Sequence, residues 1–347
     1  MKSEYGVVLI GCGHIGEAHL SDIYYREKIR VVGVVDLLEE NARLFARKYG
    51  AQSYGTDYKP YLKRDDVDIV IIATYVATHL PILKDCLAAG KHVICEKPIA
   101  GSLEEGKEFY HEVKAHPECK VLVAHILRYN DTYRKVAEMI HNGAIGEVRL
   151  IRMAQNHHIM NRERYAALLR DCPPIVDCGV HYLDIIRWFT GMDIVSLSGV
   201  GCRIGDVAPE DTYNYGLLTM QLENGASAYY EAAWADTTAS YNLKEFVGDK
   251  GRIRLVLQDY RTQDHEEGDL IEYFDAKENI YHTINIRAKY KNMWGQLQGL
   301  IEMIENDTDG FPTIDDVFIA YRLALLGDQA IKERRFVDLR SDNELLQ

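Results

Sequence analysis

The chain lacks any apolar run that approaches the length of a membrane span, and no apolar leader with a cleavage site precedes its first predicted strand. It also lacks internal repeats and low-complexity segments. These absences argue against an integral membrane protein, an exported protein and a fibrous protein. We expect a globular protein of the cytoplasm, and its 347 residues are enough for two domains.

Positive charge is scarce in this sequence. The chain has 40 lysine and arginine residues against 53 aspartate and glutamate residues, and its formal net charge is -13. An acidic chain repels phosphate backbones and anionic lipid, so nucleic acids and membrane surfaces are poor partners. The charge argues against these partners and indicates no other.

Paired cysteines are absent as well. The seven cysteines are scattered, their number is odd, and no Cys-x-x-Cys pair occurs. This pattern fits reduced thiols better than a disulfide framework. Clustered metal ligands are also missing, because the neighbours His157 and His158 would point to opposite faces of a strand. We therefore expect no bound metal.

Short apolar runs alternate with amphipathic stretches through the first third of the chain. The runs are uninterrupted and rich in branched residues, as strands buried on both faces require. Their alternation with helices predicts a doubly wound α/β domain with a parallel sheet, which we place at residues 1–124. The predicted strands are 7–10, 31–35, 52–54, 69–73, 92–95 and 120–124.

The pattern changes in residues 125–347, where longer alternating segments predict an α+β domain with a large, mostly antiparallel open sheet. Glu223-Asn224-Gly225 reads as a hairpin turn between two of its strands. Helices are predicted at 292–306 and 314–333. Alternation in 214–222 and 226–234 indicates one sheet face against helices and one against another surface, so we expect a homodimer or homotetramer packed through that sheet.

A glycine-rich turn follows the first predicted strand. Gly11-Cys12-Gly13-His14-Ile15-Gly16 matches the pattern GxGxxG, and a predicted helix follows it. Gly11 allows the tight turn, Gly13 lets the backbone approach a pyrophosphate, and Gly16 lets helix and strand pack closely. Asp36 ends the second strand, where a carboxylate accepts hydrogen bonds from the ribose hydroxyls of NAD and repels the 2′-phosphate of NADP. We favour NAD, and the alternative is a plain glycine turn with a surface aspartate.

Two further segments carry residues suited to catalysis. Lys97, in Glu96-Lys97-Pro98, follows a predicted parallel strand and offers a positive charge at the edge where open α/β sheets bind ligands. Asp177 and His181 are four residues apart and would share one face of a helix, with Asp184 three residues further on. Histidine suits proton transfer to or from an alcohol. The alternatives are a solvated surface lysine and an aspartate at a helix start with a core-facing histidine.

In their order, GxGxxG, Glu-Lys-Pro and Asp-x-Gly-x-His resemble the glucose–fructose oxidoreductase/inositol dehydrogenase (Gfo/Idh/MocA) family. The resemblance covers nearly the whole chain. Shorter segments that also resemble the family are Ala73-Thr74 with His79, Arg128-Tyr129, 143–148, Asp211-Thr212, Asn224-Gly225, Trp234 and 248–251. Two segments depart from it: Thr74-Tyr75-Val76 stands for the usual Thr-Pro-Asn, and Cys172-Pro173-Pro174 replaces glycines before Asp177.

The resemblance implies a mechanism. His181 would take the proton of a secondary alcohol, Lys97 would hold that oxygen, and Asp177 would orient the substrate or His181, while hydride passes to the nicotinamide. It also implies further contacts. The cofactor contacts are Gly11, Gly13, His14, Ile15, Gly16, Asp36, Ala73, Thr74, His79, Glu96 and Lys97, and Arg128 is a candidate substrate contact. Apart from the resemblance, the polar side chains of Asn156, His157 and His158 could line a substrate pocket, and the alternative is that they pack or face solvent.

We therefore expect an NAD-dependent oxidoreductase that transfers hydride between nicotinamide and a secondary alcohol or ketone of a sugar, polyol or inositol-like substrate. Three alternatives stay open: an NAD-assisted glycosidase with no net redox, a dehydrogenase of aromatic dihydrodiols, and a dinucleotide-binding regulator without catalysis.

Overall fold

The computed structural model describes residues 2–260 and 267–341. The chain divides into two compact units, the first formed by residues 1–129 and 291–318 and the second by residues 130–290 and 319–347. Among the described residues, no helix is both long and apolar enough to span a bilayer.

Fifteen strands and eleven helices are assigned within the described ranges. The strands are β1 (Tyr5–Ile10), β2 (Ile29–Val35), β3 (Tyr54–Gly55), β4 (Ile69–Ile72), β5 (His92–Cys95), β6 (Val121–Val123), β7 (Val148–His158), β8 (Ile194–Cys202), β9 (Tyr215–Leu222), β10 (Ser227–Ala235), β11 (Tyr241–Gly248), β12 (Gly251–Val256), β13 (Asp269–Asp275), β14 (Ile280–Ile286) and β15 (Val337–Asp338). The helices are α1 (His14–Ile23), α2 (Glu39–Tyr49), α3 (Lys59–Leu62), α4 (His79–Ala88), α5 (Leu103–Ala115), α6 (Asp131–His141), α7 (Arg162–Asp171), α8 (Pro174–Asp177), α9 (Gly179–Thr190), α10 (Met293–Asn306) and α11 (Ile314–Glu333).

The first unit contains a six-stranded sheet in the order β3-β2-β1-β4-β5-β6, with every neighbouring pair parallel. Strands β1 and β4 are buried along their whole length, because both faces of the sheet are covered. The strand order reverses between β1 and β4, so the carboxyl ends of these two strands open a crevice suited to ligands. This topology confirms the predicted doubly wound α/β fold.

The core of the first unit joins strand residues to helix residues distant in sequence. Val7, Leu9 and Ile71 are fully buried, and they belong to the same apolar cluster as Leu297 and Leu300 of α10. Helix α10 therefore packs into the core of this unit, although it begins about 170 residues after the end of β6.

The second unit contains a nine-stranded sheet in the order β14-β13-β12-β11-β7-β10-β9-β8-β15. Among the described strands of this sheet, only β7 and β10 pair in parallel, which confirms the predicted mostly antiparallel sheet. The predicted hairpin between β9 and β10 is present, and Gly225 supplies its positive φ of 81°.

One face of this sheet packs against helices. Phe246 of β11 contacts Phe189 of α9, with ring centroids 5.1 Å apart. Side chains alternate along each strand, so Lys244, two residues before Phe246, lies on the same helix-covered face, whereas Leu243 and Glu245 lie on the opposite, open face. The directly paired residues of neighbouring strands share these faces.

Candidate active site

Two of the three glycines in the GxGxxG turn are required by the protein itself. Gly11 has a φ of 101°, and a Cβ atom on it would lie 2.4 Å from the carbonyl oxygen of Ala73 at the end of β4. A Cβ atom on Gly16 would lie 2.0 Å from the carbonyl oxygen of Gly11. Both contacts are impossible for larger residues, so these glycines allow the close packing of β1, β4 and α1.

Gly13 differs from its two neighbours. A Cβ atom on Gly13 would have no described atom within 4 Å, and both Gly13 and His14 are exposed. Gly13 is the N-cap of α1, and within the described residues no side chain caps this helix by a hydrogen bond. The open space therefore lies where the positive end of the helix dipole can bind an anion, which fits a pyrophosphate.

Asp36 lies beside this turn, at the end of β2. Its Oδ2 accepts a hydrogen bond of 2.8 Å from the backbone N–H of Cys12, and its Oδ1 accepts one of 2.9 Å from that of Leu38. Burial, together with the charge of Asp36, raises the pKa of the Cys12 thiol to about 12. The thiol is therefore protonated and unreactive, and two backbone N–H groups hold the carboxylate in place next to the glycine turn.

A second group of predicted residues lies at the carboxyl end of β5. The Glu96 carboxylate accepts a hydrogen bond from His19 Nε2 of α1, at 2.8 Å. Burial raises the pKa of Glu96, but the hydrogen bond from His19 and the charge of Lys97 outweigh it, so the pKa is lowered. Lys97 is half-buried and is followed by a cis peptide bond to Pro98. The charged Glu96 therefore lies directly next to Lys97.

His79 connects the turns that follow β4 and β5. Its Nδ1 lies 2.9 Å from the carbonyl oxygen of Pro98, and its Nε2 lies 3.1 Å from that of Thr74. Burial lowers the pKa of His79, so the ring is neutral and donates to one of these two carbonyls. In this way His79 fixes the loop that carries Lys97. Tyr75, in the segment that departs from the family pattern, is exposed.

In the second unit, Asp177 and His181 do not share one helix. Helix α8 starts at Pro174 and ends at Asp177, and α9 starts at Gly179 after a break at Cys178. The backbone N–H of His181 donates to the carbonyl of Cys178 at 3.1 Å. Pro173 at the N-cap and Pro174 at the first helical position set the start of α8, because proline favours the first turn of a helix. The single helix that the spacing predicted is absent.

The charge of Asp177 acts on three side chains of the second unit, those of His157, Tyr165 and Tyr230. Burial lowers the pKa of His157, and the charge of Asp177 opposes this effect only in part. The same charge also contributes to the raised pKa values of Tyr165 and Tyr230, for which burial is again the largest cause. Trp234 pairs with His157 across β10 and β7, and its ring packs edge-on against Tyr165 at 5.4 Å.

Three polar atoms of this group have no hydrogen-bond partner among the described residues. They are His157 Nε2, Tyr230 Oη and Trp234 Nε1, and all three residues lie on the helix-covered face of β7 and β10. Buried polar atoms normally have partners, and an unsatisfied one costs about 1–3 kcal/mol. These atoms therefore suit a ligand rich in hydroxyl groups. Sequence analysis noted Trp234 only as a family-like position and did not name Tyr230. The alternation along 226–234 indicated that both lie on one strand face, but only the structure pairs that strand with β7.

The other two predicted substrate contacts, Asn156 and Arg128, have different surroundings. Asn156 is on the open face of the sheet, where its Nδ2 donates to Glu231 at 2.8 Å. Arg128 belongs to the first unit and is only 3% exposed. Its guanidinium stacks on the ring of Phe311 at 4.7 Å and lies 3.5 Å from Asp316. The structure thus groups His157 with Asp177 and separates Asn156 from both. In the described part of the chain, no three His, Cys, Asp or Glu side chains are grouped as a metal site.

Strand order and the open glycine turn define a dinucleotide-binding protein of the Rossmann class. Residues 5–125 match a family model described as "Oxidoreductase family, NAD-binding Rossmann fold", and residues 133–254 match the "GFO/IDH/MocA C-terminal domain". The chain belongs to the Gfo/Idh/MocA family of oxidoreductases, as its motifs predicted.

Known relatives agree with this assignment. The chain is 32% identical to an inositol 2-dehydrogenase of Burkholderia lata over 259 residues, which are 74% of this chain and 74% of that protein. Its fold is similar to that of an aldose-aldose oxidoreductase from Caulobacter crescentus, with a TM-score of 0.84, 20% identity and coverage of 97% and 100% of the two chains. It is also similar to scyllo-inositol dehydrogenase from Lactobacillus casei, solved with NAD(H) and scyllo-inositol, with a TM-score of 0.79, 21% identity and coverage of 97% and 99%.

Proposed function

We propose that this protein is an NAD-dependent dehydrogenase or reductase that acts on a secondary alcohol or ketone of a sugar, polyol or inositol-like substrate. The observation that carries the substrate class is the set of unpartnered polar atoms of His157, Tyr230 and Trp234 around Asp177. Hydroxyl groups both donate and accept hydrogen bonds, so a polyol satisfies all three atoms. The inositol 2-dehydrogenase relative supports the same class.

In this proposal His181 accepts the proton of the substrate hydroxyl as general base, and Lys97 stabilises the negative charge that develops on that oxygen. Asp177 orients the substrate or His181. The Glu96 carboxylate and the His79 ring hold the loop of Lys97 in position. When bound, NAD supplies the hydride acceptor.

The first experiment is NADH absorbance with NAD and a panel of inositols, polyols and sugars. We expect net NADH formation with at least one substrate. Transformation of a glycoside without net NADH would favour the NAD-assisted glycosidase instead. NAD binding without turnover of any compound in the panel would favour the regulator.

Asp36 is expected to determine the preference for NAD over NADP. Asp36→Asn keeps an acceptor for the Cys12 N–H and removes the charge that repels the 2′-phosphate. We expect the ratio of kcat/KM for NAD to that for NADP to fall by about tenfold, a change of about 1.4 kcal/mol. The matched control is Asp65→Asn at an exposed aspartate of the same unit, and an equal fall in that control would contradict the assignment.

The open face of the nine-stranded sheet is expected to form a homodimer or homotetramer. Leu243 lies on this face near the middle of the sheet, paired with Ala154. We expect light scattering at micromolar concentration to give a multiple of the chain mass, and Leu243→Arg to reduce it because a charge there is buried unpaired in the interface. Leu44→Arg, at an exposed leucine of α2, is the control. A monomeric wild-type protein would refute this expectation.

A further inference from the structure

Among the described residues, Lys244 is the only buried lysine. It lies on β11, on the helix-covered face of the sheet, and is only 1% exposed. Its ammonium lies 5.1 Å from the ring centroid of Tyr182 in α9 and 5.8 Å from that of Tyr133 in α6. Such cation–π contacts stabilise a buried ammonium only in part.

The ammonium of Lys244 has few oxygen partners. It donates to the side-chain oxygen of Asn242, and no described carboxylate forms an ion pair with it. The carboxylate whose charge acts on it is that of Asp269. The two oxygens of Asp269 already accept hydrogen bonds of 2.8 Å from Thr132 Oγ1 and from the backbone N–H of Gln258. Burial lowers the pKa of Lys244 to about 7, and the charge of Asp269 opposes this effect. A buried ammonium that has no carboxylate in an ion pair with it is stabilised by an anion that binds beside it.

The hydrogen bond to Asn242 directs the ammonium toward the strand end that carries the polar atoms described above. Lys244 pairs with Met153 of β7, whereas Asn242 pairs with Gln155, two residues nearer to His157. The charge of Lys244 also contributes to the lowered pKa of His157. Lys244 therefore lies on the same sheet face as His157, and its charge acts on that residue.

We propose that Lys244 is a specificity-determining residue that binds the carboxylate of a sugar acid, so that the protein prefers polyhydroxylated carboxylates to neutral polyols. This inference rests on the proposed function and narrows its substrate class. A carboxylate carries one negative charge, which a single ammonium balances, and its oxygens accept the N–H groups that now face the aromatic rings. The hydroxyl groups of the same ligand bind the polar atoms of His157, Tyr230 and Trp234.

The test compares equilibrium binding of acid and neutral pairs to the protein saturated with NADH. The pairs are glucuronate with glucose, galacturonate with galactose, and gluconate with glucitol, measured by calorimetry at pH 6 and pH 8. We expect at least one acid to bind about 30-fold more tightly than its neutral partner at pH 6. The preference decreases at pH 8, because Lys244 loses its proton above a pKa of about 7 while the sugar acid stays ionised.

Lys244→Met keeps the length of the apolar stem and removes the charge, so we expect it to fold and to lose the preference for the acid while glucose affinity changes less than about threefold. Lys277→Met, at an exposed lysine of the same unit, is the control and keeps the preference. Lys244→Arg keeps the charge and is expected to keep part of the preference if it folds.

Equal binding of each acid and its neutral partner at pH 6, or an unchanged preference in Lys244→Met, would overturn the proposal. Tighter binding of glucose 6-phosphate than of any sugar acid would overturn the carboxylate assignment. The proposed function is tested separately, by turnover. Selective acid binding without any NADH formation would refute the dehydrogenase and leave the role of Lys244 standing. Turnover of neutral polyols alone would support the dehydrogenase and refute the role of Lys244.

Discussion

Lys97→Ala is expected to lower kcat by about 100- to 1000-fold, because an alkoxide that develops without a positive charge beside it loses its main electrostatic stabilisation. His181→Ala is expected to lower kcat by about 100- to 10,000-fold through loss of the general base. The measurement is steady-state NADH formation with the best substrate of the panel. NAD affinity is measured in parallel, so that a loss of cofactor binding is not mistaken for a loss of chemistry.

The double variant tests whether these two residues act in the same step. If they do, Lys97→Ala with His181→Ala is expected to be little slower than the slower single variant, since residues that act as a unit are strongly non-additive. Multiplication of the two single effects would indicate independent roles. This comparison tests cooperation between residues of the two units through kinetics alone.

The control for Lys97 is Lys63→Ala, at an exposed lysine of the same unit. It is expected to change kcat less than twofold, since surface substitutions away from a site have small effects. A loss below tenfold in Lys97→Ala, with folding and NAD affinity unchanged, would remove Lys97 from the reaction and leave it as a half-buried structural lysine.

Gly13→Val is expected to weaken NAD binding by about 100-fold and to change the free energy of unfolding by less than about 1 kcal/mol. The physical reason is the open space beside this residue, where a Cβ atom has no described neighbour within 4 Å. The side chain therefore fits the protein and occupies the place that the pyrophosphate needs. The measurements are a fluorescence titration with NADH and the thermal midpoint without cofactor.

Gly16→Ala is the contrasting variant in the same turn. Its Cβ atom would lie 2.0 Å from the carbonyl oxygen of Gly11, so the turn or the helix must move. We expect this variant to lose about 1–3 kcal/mol of stability as well as cofactor affinity. Equal destabilisation by Gly13→Val and Gly16→Ala would show that Gly13 has a packing role, and an unchanged NADH affinity in Gly13→Val would place the cofactor elsewhere.

The local parts of the candidate site were predictable because local rules produce them. A glycine turn between a strand and a helix, followed by an acid after the second strand, depends on backbone conformation over about 25 residues. The structure places Gly11 in the tight turn and Gly16 at the close approach of helix and strand, as this spacing predicts. Asp36 lies next to the same turn, and its role toward the ribose stays a prediction. The role of Gly13 toward a cofactor stays a prediction, and its open surroundings support it.

The second motif shows the limit of such spacing rules. Asp177 and His181 are four residues apart, which predicts one helix face, but the helix that contains Asp177 ends there and a new one begins two residues later. Similarly, Asn156 and His157 were grouped as pocket candidates, yet they point to opposite faces of β7, as adjacent residues in a strand must. Here the alternation rule was available, and the choice of face depended on what packs against the sheet.

Local sequence determined the glycine turn, the carboxylate of Asp36, the alternation of strands and helices and the membership of an oxidoreductase family, since each depends on patterns within a short stretch of chain. Only the tertiary structure decided which distant residues meet. It joins His19 to Glu96, returns α10 to the core of the first unit, and buries Lys244 under two tyrosines on other elements. These contacts depend on burial and on charges brought together by folding, and no spacing along the chain encodes them.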